Sequence, residues 1–264
     1  MLIKFWGVRG SVPSGNPETV RVGGNTTCLE IRCEKELVVI DTGTGFRNLG
    51  NALMKELPVT GTILFSHVHW DHIQGFPFFA PFFIPGNEFR VFGGSSLPIP
   101  IEEVLNQQMN PPYFPVKKDL FGAKISYKDV KPGEIIEGKN YKITLARLYH
   151  PNECYAYRVD HDNQSLVFAT DCEHYEDRPN ANLIDLSRDA DVLIYDSQYT
   201  EDEYGGRNGE FSRKGWGTAQ CAKVSRLLKQ SMLKNLFYFT MIRLTMMILL
   251  KKLKQKPAIY FLKV

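Results

Sequence analysis

The sequence predicts an α/β fold in which strands outnumber helices. Short runs rich in Val, Ile, Leu and Phe recur along the chain, bounded by Gly, Pro, Asn and Asp. Only a few segments carry helical spacing. The His and Asp residues that could carry chemistry stand where the apolar runs end.

Taken in order, residues 2–8 read as a strand and 10–25 as a Gly/Pro-rich loop. Residues 27–32 and 37–41 alternate or run apolar, like the two strands of a hairpin. A Gly-punctuated turn (42–45) leads into 46–55, which has helical spacing, and 62–66 is an apolar strand with His67 at its end. Residues 76–85 hold too much Phe and Pro for a regular helix or a central strand. They either wall a pocket together with residues 110–115 or fill core space. Residues 90–93 form a strand, and 100–108 a helix that stops before Asn110-Pro111-Pro112. Residues 125–127, 141–147, 156–160, 165–170 and 192–196 complete the strands.

Residues 67–72 read His-Val-His-Trp-Asp-His. Imidazole nitrogen and carboxylate oxygen are the ligands zinc prefers, at about 2.0–2.2 Å. His67 and His69 leave an extended segment on one side and can converge on one ion. Asp71 and His72 lie where the chain turns into a helix and can face a second. Without a metal, clustered histidines would each need partners for both ring nitrogens. Four more residues fit such a site. Asp41 ends an apolar strand before Thr-Gly-Thr-Gly, where it orients ligands or serves as a plain turn aspartate. His150 follows a strand and is a ligand or a structural histidine. Asp171 ends the 165–170 run, and its two oxygens could bridge two ions. His174 could orient substrate or donate a proton, or be a surface histidine. His161, in a polar turn, has no functional reading.

With 264 residues the chain can bury a full core, and we expect one domain spanning 1–264. Five cysteines, odd in number and with no C-x-x-C pair, argue against a disulfide framework or a zinc knuckle and for reduced thiols in the cytoplasm. Residues 1–10 lack the apolar stretch of a signal peptide. The net charge of +3 hides an asymmetry. Residues 1–210 carry 20 Lys+Arg against all 29 Asp+Glu, a net −9, whereas 211–264 carry 12 Lys+Arg and no acid. A basic tail can bind nucleic acid, but that partner is not favoured here. The apolar run 235–250 is short for a membrane span of about 20 residues, so no membrane is expected.

The H-x-H-x-D-H motif, the upstream Asp41-Thr-Gly-Thr-Gly, His150 about 80 residues on and Asp171 about 20 further resemble the metallo-β-lactamase superfamily, in its phosphodiesterase-like and ribonuclease Z-like branch. The resemblance covers about residues 1–240. It implies a four-layer αββα sandwich and two divalent ions, zinc foremost, with manganese or iron as alternatives. It places His67, His69 and His150 on one ion and Asp71 and His72 on the other, with Asp171 between them. It implies hydrolysis by a hydroxide bridging the ions, with phosphodiesters of small-molecule or nucleotide type as preferred substrates and another ester, lactone, thioester or lactam as the alternative. Asp71 and His174 are the candidates for a direct catalytic part, and a homodimer is expected.

The chain departs from that pattern at its end, for the pattern needs one more late histidine and none follows His174. Read from the last base of each preceding codon, residues 240–248 permit His-His-Asp-Pro-Thr-His-Asp-Asp-Asp. The Met codon is unique, so the aspartates arising from Met-Ile and Met-Met are forced. A displaced frame also accounts for an acid-free tail holding four of the seven methionines. We therefore read about 218–264 as frameshifted; if the tail is genuine, the second ion lacks a ligand and the chain is an impaired relic.

Overall fold

The computed structural model describes residues 1–20, 23–94, 98–173, 180–196, 201–206, 211–212, 214–215, 236–239 and 260–263. The strands are β1 (Leu2–Gly7), β2 (Cys28–Cys33), β3 (Glu36–Ile40), β4 (Thr60–Leu64), β5 (Glu88–Gly93), β6 (Lys124–Asp129), β7 (Ile135–Glu137), β8 (Lys142–Leu148), β9 (Cys154–His161), β10 (Gln164–Ala169), β11 (Val192–Asp196), β12 (Leu236–Phe239) and β13 (Tyr260–Lys263). The helices are α1 (Gly45–Leu53), α2 (Trp70–Ile73), α3 (Ile101–Gln107), α4 (Ala181–Leu186) and α5 (Glu201–Gly205). The chain divides into two compact units, Met1–Val130 with Ile259–Val264, and Lys131–Ala258.

The first unit is built on a seven-stranded mixed sheet of order β13-β1-β2-β3-β4-β5-β6. β2 and β3 form the expected antiparallel hairpin, and β3 to β6 run parallel. The register Ile40↔Leu64 brings the C-terminal ends of β3 and β4 side by side. Asp41 and the 65–69 segment therefore leave the sheet together, at the edge where parallel sheets present ligand-binding loops. α1 forms because Phe46, Leu49 and Leu53 repeat at helical spacing on one face, and that face is buried against β1 and β2.

Residues 76–85 do form neither helix nor strand but two 3-10 turns, Phe76–Phe78 and Ala80–Phe83. Phe76, Phe79 and Phe82 are fully buried in the unit's main apolar cluster. Phe46 and Phe79 stack at 3.9 Å between ring centroids. Of the two readings of this stretch, core filling holds for these three rings. Phe78 alone stays half exposed, edge-on to Phe114 at 5.3 Å.

The second unit carries a six-stranded sheet of order β12-β11-β10-β9-β8-β7, antiparallel from β7 to β10 and parallel from β10 to β12. α4 begins at Asn180, whose side chain accepts the Leu183 amide at 3.2 Å and caps the helix. Leu183 then packs with Leu148, Ala156, Val167, Leu193 and Tyr195 in this unit's core. Cys28, Cys33, Cys154 and Cys172 are buried and outside any disulfide, and Cys221 lies outside the described residues. Among the described residues no helix is long and apolar enough to cross a membrane. Apart from β12 and β13, the 218–264 tail lies outside the described residues, and so does His174.

Candidate metal centre

The H-x-H-x-D-H residues leave β4 extended and enter α2 at His69, the N-cap, with φ −65° and ψ 153°. The extended backbone throws His67 and His69 to one side. Their rings lie edge to face with centroids 4.5 Å apart, and His67 Nε2 is 3.0 Å from His69 Nδ1. The first turn of α2 then carries Asp71 and His72 round to the same place, with the His72 ring 4.1 Å from that of His67. His72 Nε2 lies 3.5 Å from Asp71 Oδ2. The loop beneath is anchored by Gly75, whose amide donates to the Thr42 carbonyl at 2.7 Å. A Cβ on Gly75 would sit 2.1 Å from the Gly43 carbonyl oxygen, so only glycine allows the close approach.

Asp41 lies fully buried beneath these rings, with a left-handed φ of 61°. Its Oδ1 accepts the Ser66 amide at 2.7 Å, and its Oδ2 accepts the Ser66 hydroxyl and His72 Nδ1, both at 2.8 Å. A buried carboxylate is tolerated because donors surround it. The hydrogen bond to His72 fixes that ring's proton on Nδ1 and leaves the lone pair on Nε2, available to a cation. Asp71 is itself held by the Ser11 amide, 2.7 Å from Oδ2. Cys28, also buried, has its thiol pushed well up by burial first and by the charges of Asp41 and Glu30 second, so it stays protonated and supplies no thiolate.

These residues fit a divalent cation. Neutral imidazoles and a carboxylate are borderline-hard donors, and two nitrogens on one tetrahedral zinc lie about 3.3 Å apart. The 3.0 Å between His67 and His69 is close to that spacing.

In the second unit, His150 follows β8 and Asp171 follows β10, and the turns that carry them meet. The Glu173 amide donates to the Tyr149 carbonyl at 2.8 Å. The Glu173 carboxylate in turn accepts from the Tyr204 hydroxyl and from the Gly215 amide. Asp171 is buried with φ 53°, and His150 is half-buried. His161 is a structural histidine, with Nδ1 2.7 Å from the Asn140 carbonyl oxygen. Sequence reasoning missed Ser11, Ser66 and Glu173. Two of them act through backbone amides, which no side-chain pattern reveals. Ser66 had one signal, its place between the strand and the motif.

A family profile described as the beta-lactamase superfamily domain matches residues 37–237. The chain belongs to the β-lactamase superfamily. Ribonuclease Z of Methanosarcina acetivorans is 25% identical over 160 residues, which is 60% of this chain and 47% of that protein. The chain thus spans about half the length of that relative. The metallo-β-lactamase fold protein YhfI from Bacillus subtilis superposes with a TM-score of 0.64 at 18% identity, over 90% of this chain and 85% of its own. A diphosphatase of the PhnP family gives 0.64 and 18%, over 99% and 94%. These likenesses establish the metallo-β-lactamase α/β fold that the sequence predicts.

Proposed function

We propose that this superfamily member is a dinuclear metallo-hydrolase acting on phosphodiester bonds in small-molecule or nucleotide-type substrates. The observation that carries the reading is the pair of imidazole nitrogens 3.0 Å apart beside a histidine whose Nδ1 is held by a buried aspartate. His67, His69 and His150 would hold one divalent ion, and His72 and Asp71 the other, with Asp171 between. Zinc suits these donors best, though manganese and iron use the same set. Bound ions would supply Lewis acidity and a water of lowered pKa. The chain's own residues do the rest. Asp41 and Ser66 orient imidazoles, and the Ser11 amide holds one Asp71 oxygen. His174 is the candidate for orienting substrate or donating a proton.

Phosphoester chemistry is preferred because one relative is a ribonuclease Z and one structural neighbour a diphosphatase. Metal analysis of the purified chain tests the reading together with turnover of bis-(p-nitrophenyl) phosphate, an RNA, and ester, lactone, thioester and lactam analogues. Two ions per chain and phosphodiester turnover are expected. Two ions with turnover of a carbonyl substrate alone would move the activity to another ester class.

A second reading rests on the absence of any histidine after His174. If the tail is genuine, the second ion lacks a ligand and the chain is an impaired relic holding one ion or none. Resequencing the source DNA separates the two: an in-frame read with no neighbouring frame encoding the His-His-Asp turn favours the relic. The homodimer and a cytoplasmic location complete the proposal, and light scattering reads the former.

A further inference from the structure

The Ser66 hydroxyl makes contacts that the metal-ligand assignment does not use. Ser66 is fully buried. Its Oγ lies 2.8 Å from Asp41 Oδ2, 3.1 Å from His67 Nδ1 and 3.4 Å from His72 Nδ1. A hydroxyl has one proton to give and two lone pairs. The carboxylate is the shorter and the charged partner, so the Ser66 proton goes to Asp41. His72 Nδ1, also 2.8 Å from Asp41 Oδ2, donates to that same oxygen. His67 Nδ1 then faces a hydroxyl oxygen whose proton is committed elsewhere, and it bonds there only by donating its own.

From this geometry we infer that Ser66 is a positioning residue that passes the control exerted by Asp41 on to His67, so that one carboxylate fixes the tautomer of two imidazoles at once. The chain of donation runs from His67 Nδ1–H to Ser66 Oγ, from Ser66 Oγ–H to Asp41 Oδ2, and from His72 Nδ1–H to the same Asp41 oxygen. Both rings are thereby fixed with Nε2 as the acceptor. His67 Nε2 is the atom that meets His69 Nδ1 at 3.0 Å. On the proposed ligand assignment, on which this inference rests, His67 and His72 serve different ions. Asp41 bonds the His72 ring directly, and Ser66, bonded to both Asp41 and His67, is the link that extends its hold to the other ion.

The test uses the full chain labelled with ¹⁵N-histidine, as wild type, Ser66→Ala and Ser66→Thr. Long-range ¹H–¹⁵N spectra of the metal-free protein read the tautomers, and zinc titration against a competing chelator reads affinity. In the wild type, His67 and His72 are expected to carry the proton on Nδ1. Ser66→Ala should release His67 from that tautomer, leave His72 in it, and weaken one of two zinc steps by roughly 10–100-fold, the usual cost of losing a partner behind a ligand. Ser66→Thr keeps the hydroxyl and should restore both readouts. Three results would each overturn the inference: a wild-type His67 protonated on Nε2, a Ser66→Ala protein that keeps the tautomer and both zinc steps, or a Ser66→Thr protein no better than Ser66→Ala. Wild type that binds no zinc would instead sink the proposed function, while the tautomer spectra would still judge the relay. If Ser66→Ala does not fold, the wild-type spectrum and the threonine variant decide.

Discussion

The 65–75 segment of the first unit and the 148–173 turns of the second carry the same residue types in opposite ways. In the first, His67, His69, Asp71 and His72 fall within six consecutive residues. Hydrogen bonds from Asp41, Ser66 and Ser11 hold three of them in place. In the second, His150 and Asp171 come from separate strand ends 21 positions apart, and their turns meet where the Glu173 amide donates to the Tyr149 carbonyl. The contrast teaches that a contiguous, extended-then-helical stretch builds most of a site by itself. Isolated residues need the sheet to bring their turns together.

The sharpest way to break this comparison is to remove one imidazole from each region. His67→Ala and His150→Ala should each cut phosphodiester turnover by about 10³-fold or more, about 4 kcal/mol of activation free energy, because each strips a ligand from the same proposed ion. Metal content should fall in both. If His150→Ala kept its metal and its rate, His150 would be no ligand, and Asp171 would be the second unit's remaining candidate.

Next in size is a change beneath the site. Phe79 stacks on Phe46 and meets Phe82 at 4.7 Å in the fully buried cluster under the motif. Phe79→Ala should cost about 3–5 kcal/mol in urea unfolding through lost burial and the cavity left behind. Zinc stoichiometry of the folded protein should stay as in the wild type. A loss of metal at full stability would mean that the aromatic layer acts on the loop directly.

Asp41→Asn sharpens the contrast within the first unit. An amide offers one acceptor oxygen where the carboxylate offers two, and three donors converge here. Zinc affinity should drop by roughly 10–100-fold at both steps, read by chelator competition. Asp171→Asn, at the end of β10 in the second unit, should act chiefly on the bound ions, with zinc stoichiometry by chelator competition as the readout.

How far the sequence could be read follows the same division. The motif, the β2–β3 hairpin, α1 and the irregular 76–85 stretch were legible because each is a local pattern: a metal-ligand spacing, an alternation, a helical period, a Phe/Pro excess. α4 was not, because six residues give too short a period and the signal lies in the Asn180 cap. Three-residue β7 exists only through its pairing with β8. Ser11 could not be foreseen at all. It reaches Asp71 across 60 residues with a backbone amide, and its left-handed φ of 65° is a property of the folded loop.

The smallest expected effect belongs to a histidine that neither region uses. His161 is as buried as several motif residues, yet its Nδ1 is met by the Asn140 carbonyl and its Nε2 faces Asp162 at 3.4 Å. Both ring nitrogens have protein partners, so no cation is needed to explain its burial. In the motif His67 Nε2 lies 3.0 Å from His69 Nδ1, an approach of two nitrogens that needs a proton or a cation between them. His161→Gln should therefore cost only roughly 1 kcal/mol in urea unfolding, the worth of one hydrogen bond. Zinc content and turnover should not change. If the substitution removed metal instead, burial and ring partners would be the wrong criterion for telling a structural histidine from a ligand, and the motif's claim on the ions would rest on spacing alone.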